Sequence, residues 1–187
     1  CEGSLATRVE TWDGVPLDVN VTLPPADMAG PFPLVVDIHG WAMGKTGGPQ
    51  TARALQGYVV LAYSARGFHR SCGLPPARVS DPTLTDPDVC LKRGWLRLSD
   101  ARYEVRDTQH LAGVLADEGI VIPHKVGVTG ASYGGGQSMI LAALRNRTML
   151  PDGTLVPWTS PGGLAMEIAA AAPLIPWTDL AEALTPA

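Results

Sequence analysis

No apolar run in this 187-residue chain approaches the roughly 18 to 20 residues that a bilayer-crossing helix needs, which excludes a transmembrane segment of that kind. The N-terminus also lacks the basic and apolar regions of a signal peptide. Charge of one sign is scarce too: the net charge is −4, too weak a field to hold nucleic acid or an anionic membrane surface. Only three cysteines occur, Cys1, Cys72 and Cys90. They form no Cys-x-x-Cys pair and have no histidine at ligand spacing, so no metal site and no cofactor is expected. Histidine runs out early. The chain has His39, His69, His110 and His124, and none follows residue 124.

What is present suits an ordinary core. Apolar residues make up 45% and charged residues 17% of a length that fits one domain spanning 1–187. The opening "TRVETWDGVPLDVNVTLP" alternates apolar and polar residues across an Asp13-Gly14 turn, the pattern of an antiparallel hairpin with one solvated face. "PLVVDIHG" (Pro33 to Gly40) and "YVVLAYS" (Tyr58 to Ser64) are continuous apolar runs, expected for strands buried on both faces of a parallel sheet. A short crossover helix fits between them, at Gly48 to Gln56. The stretch from Ser99 to Glu118 reads as a helix with Leu111, Val114 and Leu115 on its apolar face and Gly119 as its stop. A strand from Lys125 to Thr129, a glycine turn and a helix from Tyr133 to Leu144 follow. The turn-rich "LPDGTLVPWTSPGG" around Trp158 reads as a plain surface loop rather than a pocket mouth, and "MEIAAAAPLIP" as one more buried strand. A hairpin followed by alternating strands and helices predicts an α/β domain with a mostly parallel sheet.

Cys72 and Cys90 bracket the Pro- and Asp-rich loop "CGLPPARVSDPTLTDPDVC", which has little apolar content to hold it. Closing it would stabilise the fold by about 3 kcal/mol in the chain-entropy model. A disulfide is therefore favoured over two free thiols, and with it an exported protein, secreted or in the cell envelope. Cys1 is a lipid-attachment residue, a partner for a cysteine elsewhere, or the first residue of a fragment, and the last reading is favoured.

The chemistry concentrates in "KVGVTGASYGGGQSM". Gly130-Ala131-Ser132-Tyr133-Gly134 fits the G-x-S-x-G nucleophile elbow, and it lies between a strand and a helix as that motif requires. Small residues two before and two after the serine let strand and helix pass closely, which Gly130 and Gly134 allow and Gly135 extends. Ser132 is the candidate nucleophile, at the positive end of the following helix. An oxyanion hole needs two backbone N–H groups: Tyr133, next after the nucleophile, supplies one and Trp41, after the His39-Gly40 strand end, the other. His39 itself reads as a loop-fixing histidine rather than a catalytic base.

The ordered segments "DGVPLDVNVTLP", "PLVVDIHGW", "YVVLAYSARGFHRSCG", "YEVRDTQHLAGVLADEG", "KVGVTGASYGGGQSM" and "AAAAPLIPWTDL" together resemble the N-terminal half of α/β-hydrolases of the X-Pro dipeptidyl-peptidase and cocaine-esterase family. The most specific pieces are the elbow, Arg66 and Gly67, and the Pro176 to Asp179 pattern. The resemblance implies an α/β-hydrolase fold, incomplete at the C-terminus, with Ser132 at the position of the family nucleophile and a lid and further β domain in the complete protein. One departure is the first oxyanion loop, where the family often has a tyrosine and this chain has His39-Gly40-Trp41.

The activating groups are harder to find. In α/β-hydrolases the acid and then the histidine follow the serine, yet no histidine here does. His124 starts the elbow strand at the far end of the sheet, His110 lies mid-helix, and His69 is on the correct side but is not favoured as base. Asp179 reads as a helix cap. The acid, the histidine and the remaining strands are therefore expected outside these 187 residues, in a C-terminal segment or a second chain. The leading expectation is a serine hydrolase acting on a small-molecule ester or a peptide, the isolated chain being inactive. The alternatives are a non-catalytic binding module that keeps the elbow as architecture, and an acyltransferase. The glycosylation sequons at Asn20 and Asn146 are assigned nothing.

Overall fold

The computed structural model describes residues 8–78, 85–177, 179, 182 and 185. Cys1 lies outside them, as does most of the final helical stretch after Trp177. The hairpin forms as expected: β1 (Val9–Glu10) pairs antiparallel with β2 (Pro16–Leu17) across the Asp13-Gly14 turn. Its second arm does not continue as one strand. β3 (Val19–Thr22) breaks away at Asp18 and pairs antiparallel with β5 (Val59–Tyr63). This arm has no solvated face, because Val15 to Asn20 are all buried. Leu17 and Val19 join the core, and the polar residues beside them, Asp18 and Asn20, find a local partner in Lys45. Asp18 pairs with Lys45 at 2.8 Å, and the same ammonium donates to Asn20 Oδ1 at 2.5 Å.

β4 (Phe32–Ile38), β5, β6 (Val121–Ala131) and β9 (Ile168–Leu174) run parallel, giving a five-stranded sheet in the order β3-β5-β4-β6-β9. The crossover from β4 to β5 holds one short helix, α1 (Thr51–Ala54), where one was expected. A second short helix, α2 (Val89–Lys92), carries Cys90, whose disulfide to Cys72 spans a Cα separation of 5.3 Å.

α3 (Glu104–Asp117) starts five residues later than the sequence suggests. Asp100 is the reason: its carboxylate accepts the Arg102 N–H at 2.8 Å and its carbonyl accepts the Tyr103 N–H, forming a turn that competes with the helix. Gly119, at φ +70°, ends the helix as expected. α4 (Tyr133–Leu144) has the bounds read from sequence. The segment from Leu150 read as a loop instead supplies the turn and second strand of a hairpin, β8 (Leu155–Pro157) pairing antiparallel with β7 (Arg147–Met149) just before it.

α3 and α4 pack on one face of the sheet. Leu34, Val36, Ile38, Val126 and Val128 enter one core with Leu111 and Leu115 of α3 and Leu141 and Leu144 of α4. The opposite face departs from expectation. Pro33, Val35 and Asp37 of β4 are only half-buried, and Ala169 to Ala172 of β9 are exposed. Neither strand is therefore buried on both faces among the described residues. The reason is that among the described residues nothing beyond the four-residue α1 crosses that side, leaving a shallow depression of about 490 Å³ lined by Val35, Thr129 and the β9 alanines.

Candidate active site

β6 delivers Ser132 to the carboxyl end of the sheet, and α4 begins at the next residue. Ser132 has φ 54° and ψ −113°, a conformation that costs a side-chain-bearing residue free energy and persists only where the surroundings enforce it. Two hydrogen bonds hold it: its N–H donates to Leu174 O of β9 at 3.0 Å, and its carbonyl accepts the Gly136 N–H at 2.9 Å. The glycines around it are there for space. A Cβ on Gly130 or Gly134 would collide with the Ile38 carbonyl, and one on Gly135 with the Leu174 carbonyl. Strand and helix thus pass at a distance only glycine permits. Tyr133, as the first residue of α4, has an amide with no intrahelical acceptor by position.

The second amide comes from the turn after β4. Gly40 to Met43 close a turn in which Met43 N–H donates to Gly40 O at 3.1 Å and Ala42 adopts φ 61°. Among the described residues no backbone carbonyl accepts the Trp41 amide. The turn lies against the elbow: a Cβ built on Gly40 would sit 3.7 Å from Ala131 O, and the Trp41 and Tyr133 rings are 5.8 Å apart. The structure therefore brings Trp41, Ser132 and Tyr133 together.

His39 fixes that turn. Its Nε2 accepts the Ala65 N–H at 2.9 Å, so the ring proton sits on Nδ1, which donates to Gly40 O at 2.7 Å. Burial, before any other influence, keeps its pKa below the usual histidine value. Both ring nitrogens are occupied and neither is available as a base. His69 reaches the same turn from the other side, with Nε2 3.1 Å from Ala42 O. His124 is exposed near the start of β6, and His110 lies on α3, where burial lowers its pKa.

Tyr133 is fully buried by an aromatic group the sequence reading did not assemble. Phe68 meets it edge-on at 5.3 Å, His39 stacks at 5.9 Å and Trp177 lies at 6.4 Å. Trp41 stands at the rim, 46% exposed. Phe68 lies in the loop after β5, its N–H donating to Ala65 O at 3.0 Å, and Arg66 stands two residues earlier in that loop. Its guanidinium is wholly buried and grips two carboxylates bidentately, Asp107 of α3 at 2.7 and 2.5 Å and Asp13 of the hairpin turn at 2.8 Å twice. For Asp13, burial raises the pKa but Arg66 more than offsets it and the net shift is downward. Burial dominates at Glu104, one turn before Asp107 on α3, and pushes its carboxyl up to about 7. This cluster locks hairpin, loop and helix together behind the site. Its signal in sequence was Glu104, Asp107 and Leu111 at helical spacing on the buried face, opposite an Arg66 flagged only by resemblance.

With this geometry, the comparison with known families is decisive. The profile of the X-Pro dipeptidyl-peptidase (S15 family) matches residues 13–181. The chain belongs to this family. S15 proteins are serine peptidases, which makes hydrolase the activity class of the family to which the chain belongs. No curated protein matches the chain significantly. Among solved structures, a post-proline cleaving enzyme from Rickettsia typhi is similar at 14% identity and a TM-score of 0.59, covering 94% of this chain and 21% of that one. A puromycin-hydrolyzing peptidase from Mycobacterium tuberculosis is similar at 23% identity and 0.51, over 73% and 19%. The acylaminoacyl peptidase of Pyrococcus horikoshii is similar at 20% identity and 0.51, over 72% and 20%. These likenesses establish the α/β-hydrolase fold, of which this S15 chain forms a part. The chain spans about a fifth of the length of each of these three structures. Among the described residues no helix is long and apolar enough to cross a membrane, and no cluster of His, Cys, Asp and Glu could hold a metal ion.

Proposed function

We propose that Ser132 is the nucleophile of a serine hydrolase that cleaves an ester or amide bond, peptide bonds included, through an acyl-enzyme. The observation that carries this reading is the backbone of Ser132 itself: φ 54° and ψ −113°, between the end of β6 and the start of α4, enforced by glycines that touch carbonyl oxygens. As the general base takes its hydroxyl proton, Ser132 Oγ attacks the substrate carbonyl carbon. The oxygen that becomes negative accepts hydrogen bonds from the amides of Tyr133 and Trp41, and the α4 dipole favours the same charge. The tetrahedral intermediate collapses, the leaving group takes a proton from the general base, and water then hydrolyses the acyl-serine.

The base and its orienting acid come from parts of the protein outside these 187 residues. The occupied nitrogens of His39 and the distant positions of His110 and His124 support this. The same further chain covers the bare face of β4, β6 and β9. In this reading the described residues form one partial domain, and the disulfide between Cys72 and Cys90 fits a secreted or cell-envelope setting.

The test uses the complete protein with p-nitrophenyl acetate and an Xaa-Pro p-nitroanilide. A stoichiometric burst of nitrophenol followed by slower turnover is expected, with loss of about 10³-fold or more in Ser132→Ala. Equal activity in Ser132→Ala sinks the proposal. Inactivity of the wild type on both classes favours the non-catalytic binding module.

A further inference from the structure

A second cavity lies away from the elbow, between α3 and the β7–β8 hairpin. It measures about 310 Å³, at the small end of ligand pockets, which run from about 300 to 1,000 Å³. Its working wall is Trp12 from the β1–β2 turn, Arg106, Gln109 and His110 from one face of α3, and Trp158 and Ser160 from the stretch after β8. None of these residues belongs to the elbow or to the turn bearing Trp41.

The wall holds polar groups without partners. Gln109 is 2% and Trp158 3% exposed. Gln109 Nε2 donates to Arg147 O at 2.8 Å, but among the described residues Gln109 Oε1 and the indole Nε1 atoms of Trp158 and Trp12 have no hydrogen-bond partner. Buried donors and acceptors are seldom left so, and three at one cavity call for an occupant. These atoms present almost no surface to a water molecule, so an occupant of the cavity pairs them only once the Gln109 amide and the indoles turn towards it. Arg106 adds a charge. Its guanidinium lies 3.7 Å from the centroid of Trp12 and makes no ion pair among the described residues, because Asp13 and Asp107 nearby are taken by Arg66. The fork of N–H donors is thus oriented by stacking and open for a planar anion.

We propose that this cavity binds a small carboxylate with a neighbouring amide, the chemistry of an N-acylated amino acid or a peptide C-terminus. The carboxylate pairs with the Arg106 guanidinium, the amide N–H donates to Gln109 Oε1, and the amide carbonyl accepts from the Trp158 indole. The acyl group packs on Leu150, Val156 and Pro157. The ligand offers one anion, one donor and one acceptor where the wall offers one cation, one acceptor and two donors. This site is independent of the role proposed for Ser132.

Calorimetric titration of the full-length protein with hippurate (N-benzoylglycine) tests it. Hippurate is expected to bind equally to wild type and Ser132→Ala. Arg106→Gln, with an unchanged circular dichroism spectrum, weakens it about tenfold or more. In the Ser132→Ala background the uncharged hippuramide binds about tenfold or more weakly than hippurate, a comparison that stands even if Arg106→Gln does not fold. The proposal is overturned by no binding at about 10 mM hippurate, by equal affinity for acid and amide, by an unaffected Arg106→Gln, or by loss of binding in Ser132→Ala.

Discussion

On β4, Val36 is fully buried while its neighbour Val35 is only half-buried, and a similar split runs through β6 and β9, whereas every residue of β5 is buried. The face under α3 and α4 carries large side chains in one continuous core. The other carries Val35, Gly127, Thr129 and the β9 alanines, small groups with little of the described protein over them. The difference separates two properties of a hydrolase site. Geometry at Ser132 depends on the covered face, because Ile38, Leu174 and α4 fix the elbow. Activation, in the proposed function, depends on groups the covered face does not supply.

Several substitutions break or sharpen that contrast. The largest effect is expected at the buried charge cluster, where Asp107→Ala leaves Arg66 with one carboxylate and no solvent. A loss of about 3 to 5 kcal/mol in denaturant unfolding is expected. Next comes Cys90→Ser, which frees the loop between residues 72 and 90 and costs about 3 kcal/mol in the same measurement. The contrast itself is read from a pair on one strand. Val36→Ala should cost about 2 kcal/mol and Val35→Ala less than about 1 kcal/mol. Equal losses would mean that another part of the protein closes over Val35.

A further expected effect concerns pH. Glu104 is raised from its ordinary 4.5 to about 7 by burial, so the folded protein keeps this proton longer than the unfolded chain does. Its contribution to stability is present below about 4.5 and is lost as pH rises through about 7. Glu104→Gln keeps the acceptor for the Arg97 N–H and removes the titration. Thermal unfolding should show this variant gaining on wild type between pH 5 and pH 8 by roughly 2 kcal/mol. A constant difference across that range would place the titration elsewhere.

The elbow and its helix were legible in sequence because glycine spacing reports close backbone approach directly, and α4 begins and ends where that spacing and its apolar run indicate. The parallel strands were legible as apolar runs, but not which of their faces would be covered, because a run of Val and Ala looks alike whether one helix layer packs on it or two. The start of α3 was missed because Asp100 captures the backbone in a turn. The β7–β8 hairpin was missed because its strands are three residues each, too short to show alternation. Trp158, read as part of a surface loop, is 3% exposed and lines a cavity, since the hairpin folds back on α3. The wall around Tyr133 draws Phe68 and Trp177 from distant segments, and no local pattern announces such a meeting.

The central claim is that Ser132 is a reactive nucleophile once the rest of the protein is in place. Treating the complete protein with a fluorophosphonate probe and mapping the adduct by peptide mass spectrometry tests it most directly. The account predicts a single adduct on Ser132 that disappears in Ser132→Ala. An unlabelled Ser132, with another serine hydrolase labelled in the same sample, or labelling that persists in Ser132→Ala, would contradict it.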